Sequence, residues 1–230
     1  MKNNAFITGA SGNLGKAAVE KFLKDGYKVI ATTSPGKTIG FAVTGDIETM
    51  EADLTNESAV AEVINTVITK HQTIDVALLL VGVFGAGGIK DTDGASLKKM
   101  YSLNFETAYF AVRPIFLQMQ KQNSGGRIVL IGARPSLNPS EGKDFLAYAL
   151  SKSLLFKLAE YLNAEGAHKN IVTSVIVPGV IDTPINRKSN PAANFSDWVS
   201  PEEIAEILSF LSSEKGRALK ETVLKIYGNS

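Results

Sequence analysis

Tyr148 and Lys152, in Tyr148-Ala149-Leu150-Ser151-Lys152, set a phenol and an ammonium four residues apart. On a helix that spacing puts both side chains on one face, within reach of each other. A phenol can give its proton to a carbonyl or imine heteroatom that gains negative charge as it accepts hydride. Its free pKa is about 10, and a neighbouring ammonium draws that value towards neutrality by favouring the anion. Tyr148 is thus the candidate acid and Lys152 its tuner. A second chemical feature lies near the start, where Thr8-Gly9-Ala10-Ser11-Gly12-Asn13-Leu14-Gly15 joins an apolar run to a helix-period segment. Glycines at such a turn let N–H groups and a helix N-terminus approach a pyrophosphate with no Cβ in the way. Gly9, Ser11, Gly12, Asn13, Leu14 and Gly15 are then phosphate-binding candidates. A P-loop fails as the explanation, because Ala10 stands where its first glycine belongs and Ala17 where a hydroxyl should hold magnesium.

The rest of the composition narrows the options. Lysine and arginine number 24 against 23 aspartates and glutamates, a net charge of +1, which argues against nucleic acid as a partner. With no cysteine and only two histidines, His71 and His168, disulfides, thiolate catalysis and a histidine metal site are not expected. The longest apolar stretch, Val76 to Phe84, is far below the ~20 residues that span a bilayer, and the start has no signal-peptide core. A cytoplasmic protein acting on a small molecule is the expectation.

Elements that would position these groups follow from periodicity. Apolar, β-rich runs occur at Ala5–Thr8, Val29–Thr32, Ile74–Val81, Ile128–Ile131, Ile171–Val177 and Val223–Ile226, with a further strand around Glu48–Ala52. Continuous apolarity means strands covered on both faces, as in a parallel sheet between helices. Helices are predicted over Asn13–Asp25, Glu57–Lys70, Ser96–Gln122, Phe145–Gly166 and Pro201–Ser213, the last opened by a serine cap, a first-turn proline and Glu203. Pro35, Gly36, Gly40 and Gly45 exclude a long helix after the second strand. The pattern is a single-domain, doubly wound α/β (Rossmann) fold over residues 1–230, with no linker or repeat.

In that fold a carboxylate at the end of the second strand takes the adenosine ribose hydroxyls and prefers NAD. Here the place is Thr32-Thr33-Ser34 with Lys37 close behind, so Thr33, Ser34 and Lys37 favour the 2′-phosphate of NADP(H) over NAD(H). Lys37 as an ordinary solvated lysine stays open. Between Leu103 and Gln120 only Glu106 and Arg113 are charged, which leaves apolar residues on more than one side of a helix. Such a helix needs cover beyond one sheet, and a homodimer or homotetramer through this helix and Phe145–Gly166 is expected.

Taken in order, the motifs resemble the short-chain dehydrogenase/reductase family over nearly the whole chain. The matching parts are Thr8 to Gly15, Asp53-Leu54, Asn104 in Leu103-Asn104-Phe105, the Tyr148/Lys152 pair, and Pro178-Gly179-Val180-Ile181-Asp182-Thr183-Pro184. The resemblance implies that Asp53 meets the adenine, with Leu54 beside it. It places Ile181 and Thr183 at the nicotinamide amide, after Pro178 and Gly179, and Lys152 at the nicotinamide ribose. Asn104 would hold a water that relays protons to Lys152.

Three positions depart from the family pattern. Asn13 replaces a usual glycine, Leu79-Leu80-Val81-Gly82 keeps only the last residue of the usual Asn-Asn-Ala-Gly, so that the resemblance implies Gly82 at the cofactor, and Gly132-Ala133 stands where the substrate-binding serine belongs. The same loss of serine makes the chain similar to the dihydropteridine reductase branch, as do Gly132 to Leu137, Gly85 to Gly88, and Ile181 to Ser189 continuing through Asn194 to Trp198. That branch uses NADH. The resemblance implies hydride transfer from NAD(P)H to a quinonoid dihydropterin-like or small carbonyl acceptor. Phe84 and Trp198 are aromatic candidates for holding a flat ring, or else ordinary packing residues, and Ala133 lies at the acceptor. Two other readings stay open, a non-catalytic NADP(H)-sensing regulator and a generic ketone or acyl-carrier reductase.

Overall fold

The computed structural model describes residues 3–229. Seven strands, β1 (Asn4–Thr8), β2 (Lys28–Thr33), β3 (Ile47–Glu51), β4 (Val76–Leu79), β5 (Gly126–Ile131), β6 (Ile171–Pro178) and β7 (Val223–Ile226), form one sheet in the order β3-β2-β1-β4-β5-β6-β7. Every pairing is parallel. Side chains of β1, β4 and β6 are buried throughout, which is why these segments read as unbroken apolar runs.

Two apolar layers cover the sheet. On one face α1 (Asn13–Lys24) and α8 (Pro201–Ser212) pack over Ile7, Ala31, Val129 and Ile176. On the other, α2 (Glu57–His71), α4 (Thr107–Lys121) and α6 (Leu146–Gly166) pack over Phe6, Ile30, Ile128 and Val175. Short helices α3 (Gly94–Tyr101), α5 (Pro139–Gly142) and α7 (Pro184–Ser189) lie in the connections after β4, β5 and β6.

Strand order reverses between β1 and β4, so the crevice beyond their carboxyl ends is the expected ligand position. The predicted strand Ile74–Val81 is shorter than expected, Val76–Leu79, and Leu80 and Val81 beyond its end pack against the two apolar layers. The single helix predicted over Ser96–Gln122 is two, α3 and α4, joined by a π-helical turn at Ser102–Glu106. Such a turn inserts one extra residue per turn and re-aims the side chains inside it, among them the buried Asn104.

Candidate active site

The turn after β1 is built to leave donors free. Gly9 has φ +70, a left-handed conformation, and a Cβ on Gly15 would collide with the Gly9 carbonyl oxygen, so α1 closes on the turn only without one. Asn56, Asp93 and Ser200 cap α2, α3 and α8 through their side chains, whereas Gly12 gives α1 no side-chain cap. No acid stands in the first turn of α1. Uncapped N–H groups and the positive end of the helix dipole fit a phosphate.

Beside the cradle lies a cleft of about 370 Å³, lined by Ser11, Gly12, Asn13 and Lys16 on one side and Lys37 to Phe41 on the other. The loop that replaces the second helix is pinned there. Thr33 Oγ1 donates to the Lys37 carbonyl at 2.7 Å, the Gly36 N–H donates to Glu51 at 2.9 Å, and the Lys16 ammonium sits 5.5 Å above the Phe41 ring. Thr33 is buried and its hydroxyl proton is already engaged, so the structure brings Lys37 to the cleft but not Thr33. Ser34 is exposed on the same loop. Lys16, absent from the sequence-based candidates, stands with Lys37; its position just after Gly15 on an uncapped helix was the available signal.

Asp53 ends the third strand's exit as a turn cap, accepting from the Thr55 N–H and hydroxyl, which hold its carboxyl below the usual range. Leu54 is buried behind it. At the exit of β6, the Gly179 N–H donates to Ile226 at 2.8 Å, and Asn186 Nδ2 donates to the Ile181 carbonyl at 2.8 Å. Thr183 caps α7 by accepting from the Asn186 N–H, which leaves its hydroxyl proton available. Pro178 closes the strand and Asp182 pairs with Arg187 through two bonds.

The chemical centre forms where α6 meets the ends of β4 and β5. Lys152 Nζ donates to the Ile131 carbonyl at 2.8 Å, and the Val83 N–H donates to Asn104 Oδ1 at 2.8 Å. Gly82 lies between them: a Cβ there would stand 2.7 Å from Lys152 Nζ and 2.8 Å from Asn104 Oδ1. Burial pushes Lys152 down to about 8 and Tyr148 up to about 12. Loss of water around the phenol is the cause of its rise. A neutral phenol at pH 7 is the form that donates a proton.

Phe84 packs edge-on against Tyr148, ring centroids 5.3 Å apart, and also against Phe145. Ala133, just after β5, is buried, its carbonyl accepting from the Ser136 hydroxyl, so that serine serves the loop. Trp198 is half-buried with Phe195 as its ring partner, and Arg187 covers the Phe195 ring at 4.8 Å. The structure thus brings Lys152 and Asn104 to Gly82 and the Tyr148 ring to Phe84, while the ring partner of Trp198 is Phe195, after β6. No group of three or more His, Cys, Asp or Glu able to hold a metal occurs among the described residues.

Comparison with known proteins identifies the family. A family profile described as short chain dehydrogenase matches residues 3–194. The chain is 27% identical to a 3-oxoacyl-(acyl-carrier-protein) reductase of Buchnera aphidicola, over 99% of this chain and 96% of that one. It is 27% identical to the dihydropteridine reductase of Dictyostelium discoideum, over 90% and 87% of the two chains. Among solved structures, ElxO with NADP bound superposes with a TM-score of 0.90 at 26% identity, covering 99% of this chain and 98% of that one. The chain belongs to the short-chain dehydrogenase family and is an oxidoreductase.

Proposed function

We propose that this protein is an NADP(H)-dependent reductase that delivers hydride to a quinonoid dihydropterin or a similar flat heterocycle, with Tyr148 as proton donor. The observation that carries it is the meeting of Lys152 and Asn104 at Gly82, at the exit of β4, with the Tyr148 ring against Phe84 two residues further on and a cradle shaped for phosphate after β1. A bound nicotinamide dinucleotide supplies the hydride. Gly9 to Gly15, Asp53, Leu54, Pro178, Gly179, Ile181 and Thr183 would hold it, and Lys16 with Lys37 would meet a 2′-phosphate, which supports NADPH over NADH. Tyr148 gives its proton to the acceptor heteroatom, Lys152 holds positive charge near the phenolate that results, and Asn104 steadies the backbone that both face. Phe84 offers an aromatic surface to a flat ring.

A carbonyl or acyl-carrier reductase is the second reading, favoured by the similarity to the Buchnera enzyme. In our reading residues 1–230 act as one cytoplasmic unit, paired through α4 and α6, where Tyr109, Leu117, Leu150 and Leu154 are exposed. The deciding experiment is a steady-state assay with NADPH and NADH against quinonoid dihydropterin and a set of small ketones. Faster reduction of the pterin supports the first reading, and efficient ketone turnover with none of the pterin replaces it by the second. Tyr148→Phe should abolish turnover and leave NADPH binding nearly intact; full activity in that variant would refute the assignment.

A further inference from the structure

Why only the last residue survives from the family's usual Asn-Asn-Ala-Gly has an answer in space rather than in backbone conformation. Gly82 is not among the glycines with positive φ, so an ordinary residue would fit its backbone. What excludes one is the closeness of two polar groups from two different elements. A Cβ would lie 2.7 Å from Lys152 Nζ, 3.4 Å from Lys152 Cε and 2.8 Å from Asn104 Oδ1, and approaches below 3.0 Å do not occur for real Cβ atoms.

Neither group has slack. Lys152 and Asn104 are 3% and 0% exposed. The ammonium is held by the Ile131 carbonyl on β5, and the amide oxygen by the Val83 N–H. Behind the amide, Asn104 Nδ2 reaches Met100 Sδ at 3.7 Å, and a Cβ on Gly85 would lie 2.8 Å from that sulfur. Two glycines three residues apart thus make room for one amide and for the side chain that backs it.

We infer that Gly82 is a positioning residue of this enzyme: its bare Cα lets the Lys152 ammonium and the Asn104 amide close on the exit of β4, and a methyl group there displaces both from the backbone groups that hold them. This rests on the roles given above to Tyr148, Lys152 and Asn104. The predicted displacement is local, because the obstructing atoms are the tips of two side chains and not the backbone. Misplacement of a catalytic group by about 1 Å can cost on the order of a hundredfold in rate.

The test is Gly82→Ala, with Asn104→Ala, the double variant and Tyr148→Phe in parallel. We expect Gly82→Ala to unfold cooperatively like wild type and to bind NADPH, by fluorescence titration, within about threefold. Its kcat with quinonoid dihydropterin, or with whichever small ketone is turned over, should fall at least about tenfold, with a displaced pH–rate limb. Heteronuclear NMR of the lysine side chains should show a displaced Lys152 titration midpoint, a readout that needs no acceptor. The double variant should be no worse than Asn104→Ala alone, since shortening residue 104 relieves part of the collision. Should Gly82→Ala fail to fold, the double variant carries the test, and its failure to recover a folded state would overturn the inference. Unchanged kcat, pH limb and NMR midpoint in Gly82→Ala would overturn it too, as would a loss confined to NADPH affinity. If Tyr148→Phe stays active, the reading of the site fails instead; if it is dead while Gly82→Ala matches wild type, only this inference fails.

Discussion

Phe84 and Tyr148 meet edge to face at 5.3 Å although Phe84 remains 64% exposed. A phenylalanine so placed adds little core burial, yet it braces the phenol and leaves the rest of its ring open to contact. Aromatic pairs of this kind contribute about 0.5–1.5 kcal/mol, so Phe84→Ala should raise KM for a flat heterocyclic acceptor by up to about tenfold. Stability and NADPH affinity should hardly change. Steady-state kinetics with the pterin and with a small ketone check this; an equal rise in KM for both would remove Phe84 from acceptor binding.

The buried Lys152 makes stability depend on pH in a defined sense. Its pKa falls from 10.5 when the chain is unfolded to about 8 in the native state, through desolvation alone. Stability from burying the neutral amine is present above 10.5 and is lost as the pH falls through about 8, because the unfolded chain takes up the proton first. The loss is on the order of 3 kcal/mol at most, and the bond to Ile131 offsets part of it. Lys152→Met should therefore be inactive but more stable than wild type at pH 7, with the gap narrowing from pH 8 to 10.5. Urea unfolding at pH 7 and pH 10 measures this, and a gap independent of pH would contradict it.

Lys16 and Lys37 both line the cleft beside the cradle. Replacing either by alanine should weaken NADPH binding by about tenfold, in the range of a charge-assisted hydrogen bond, and leave NADH binding nearly unchanged. Calorimetric titration with both nucleotides decides it. Equal losses for both would mean that the lysines shape the loop and do not read the 2′-phosphate.

At position 133 a buried methyl stands where the family has a hydroxyl. A ketone concentrates developing charge on one oxygen, and adding a donor there should raise its turnover, by up to the 10²–10³ that one oxyanion donor contributes. A quinonoid ring spreads that charge over several nitrogens and gains less. Ala133→Ser should thus increase kcat/KM for small ketones more than for the pterin. No change for ketones would show that position 133 does not face the acceptor.

The predicted strands and the ends of α1, α2, α6 and α8 lie within two residues of those observed, because unbroken apolar runs, the glycine turn and the Ser200-Pro201-Glu202-Glu203 cap are signals between neighbours in the chain. The same holds for the Tyr148/Lys152 spacing and for the absence of a helix between Ser34 and Asp46. A joint between α3 and α4 was not legible, since the apolar period runs through the π turn without a break. Nor was the role of Lys16, whose partner Phe41 lies across a loop whose path depends on bonds to Thr33 and Glu51.

What the sequence determined by itself was therefore the fold class, the glycine turn after β1 and the helical spacing of Tyr148 and Lys152, all set by residue types at short range. Only the tertiary structure decided that Asn104 and Lys152, 48 positions apart in numbering, close on Gly82, and that burial pushes the phenol up. Those outcomes depend on strand register and on how much water is removed around each group. Both are properties of the assembled layers, and no local pattern of residues encodes them.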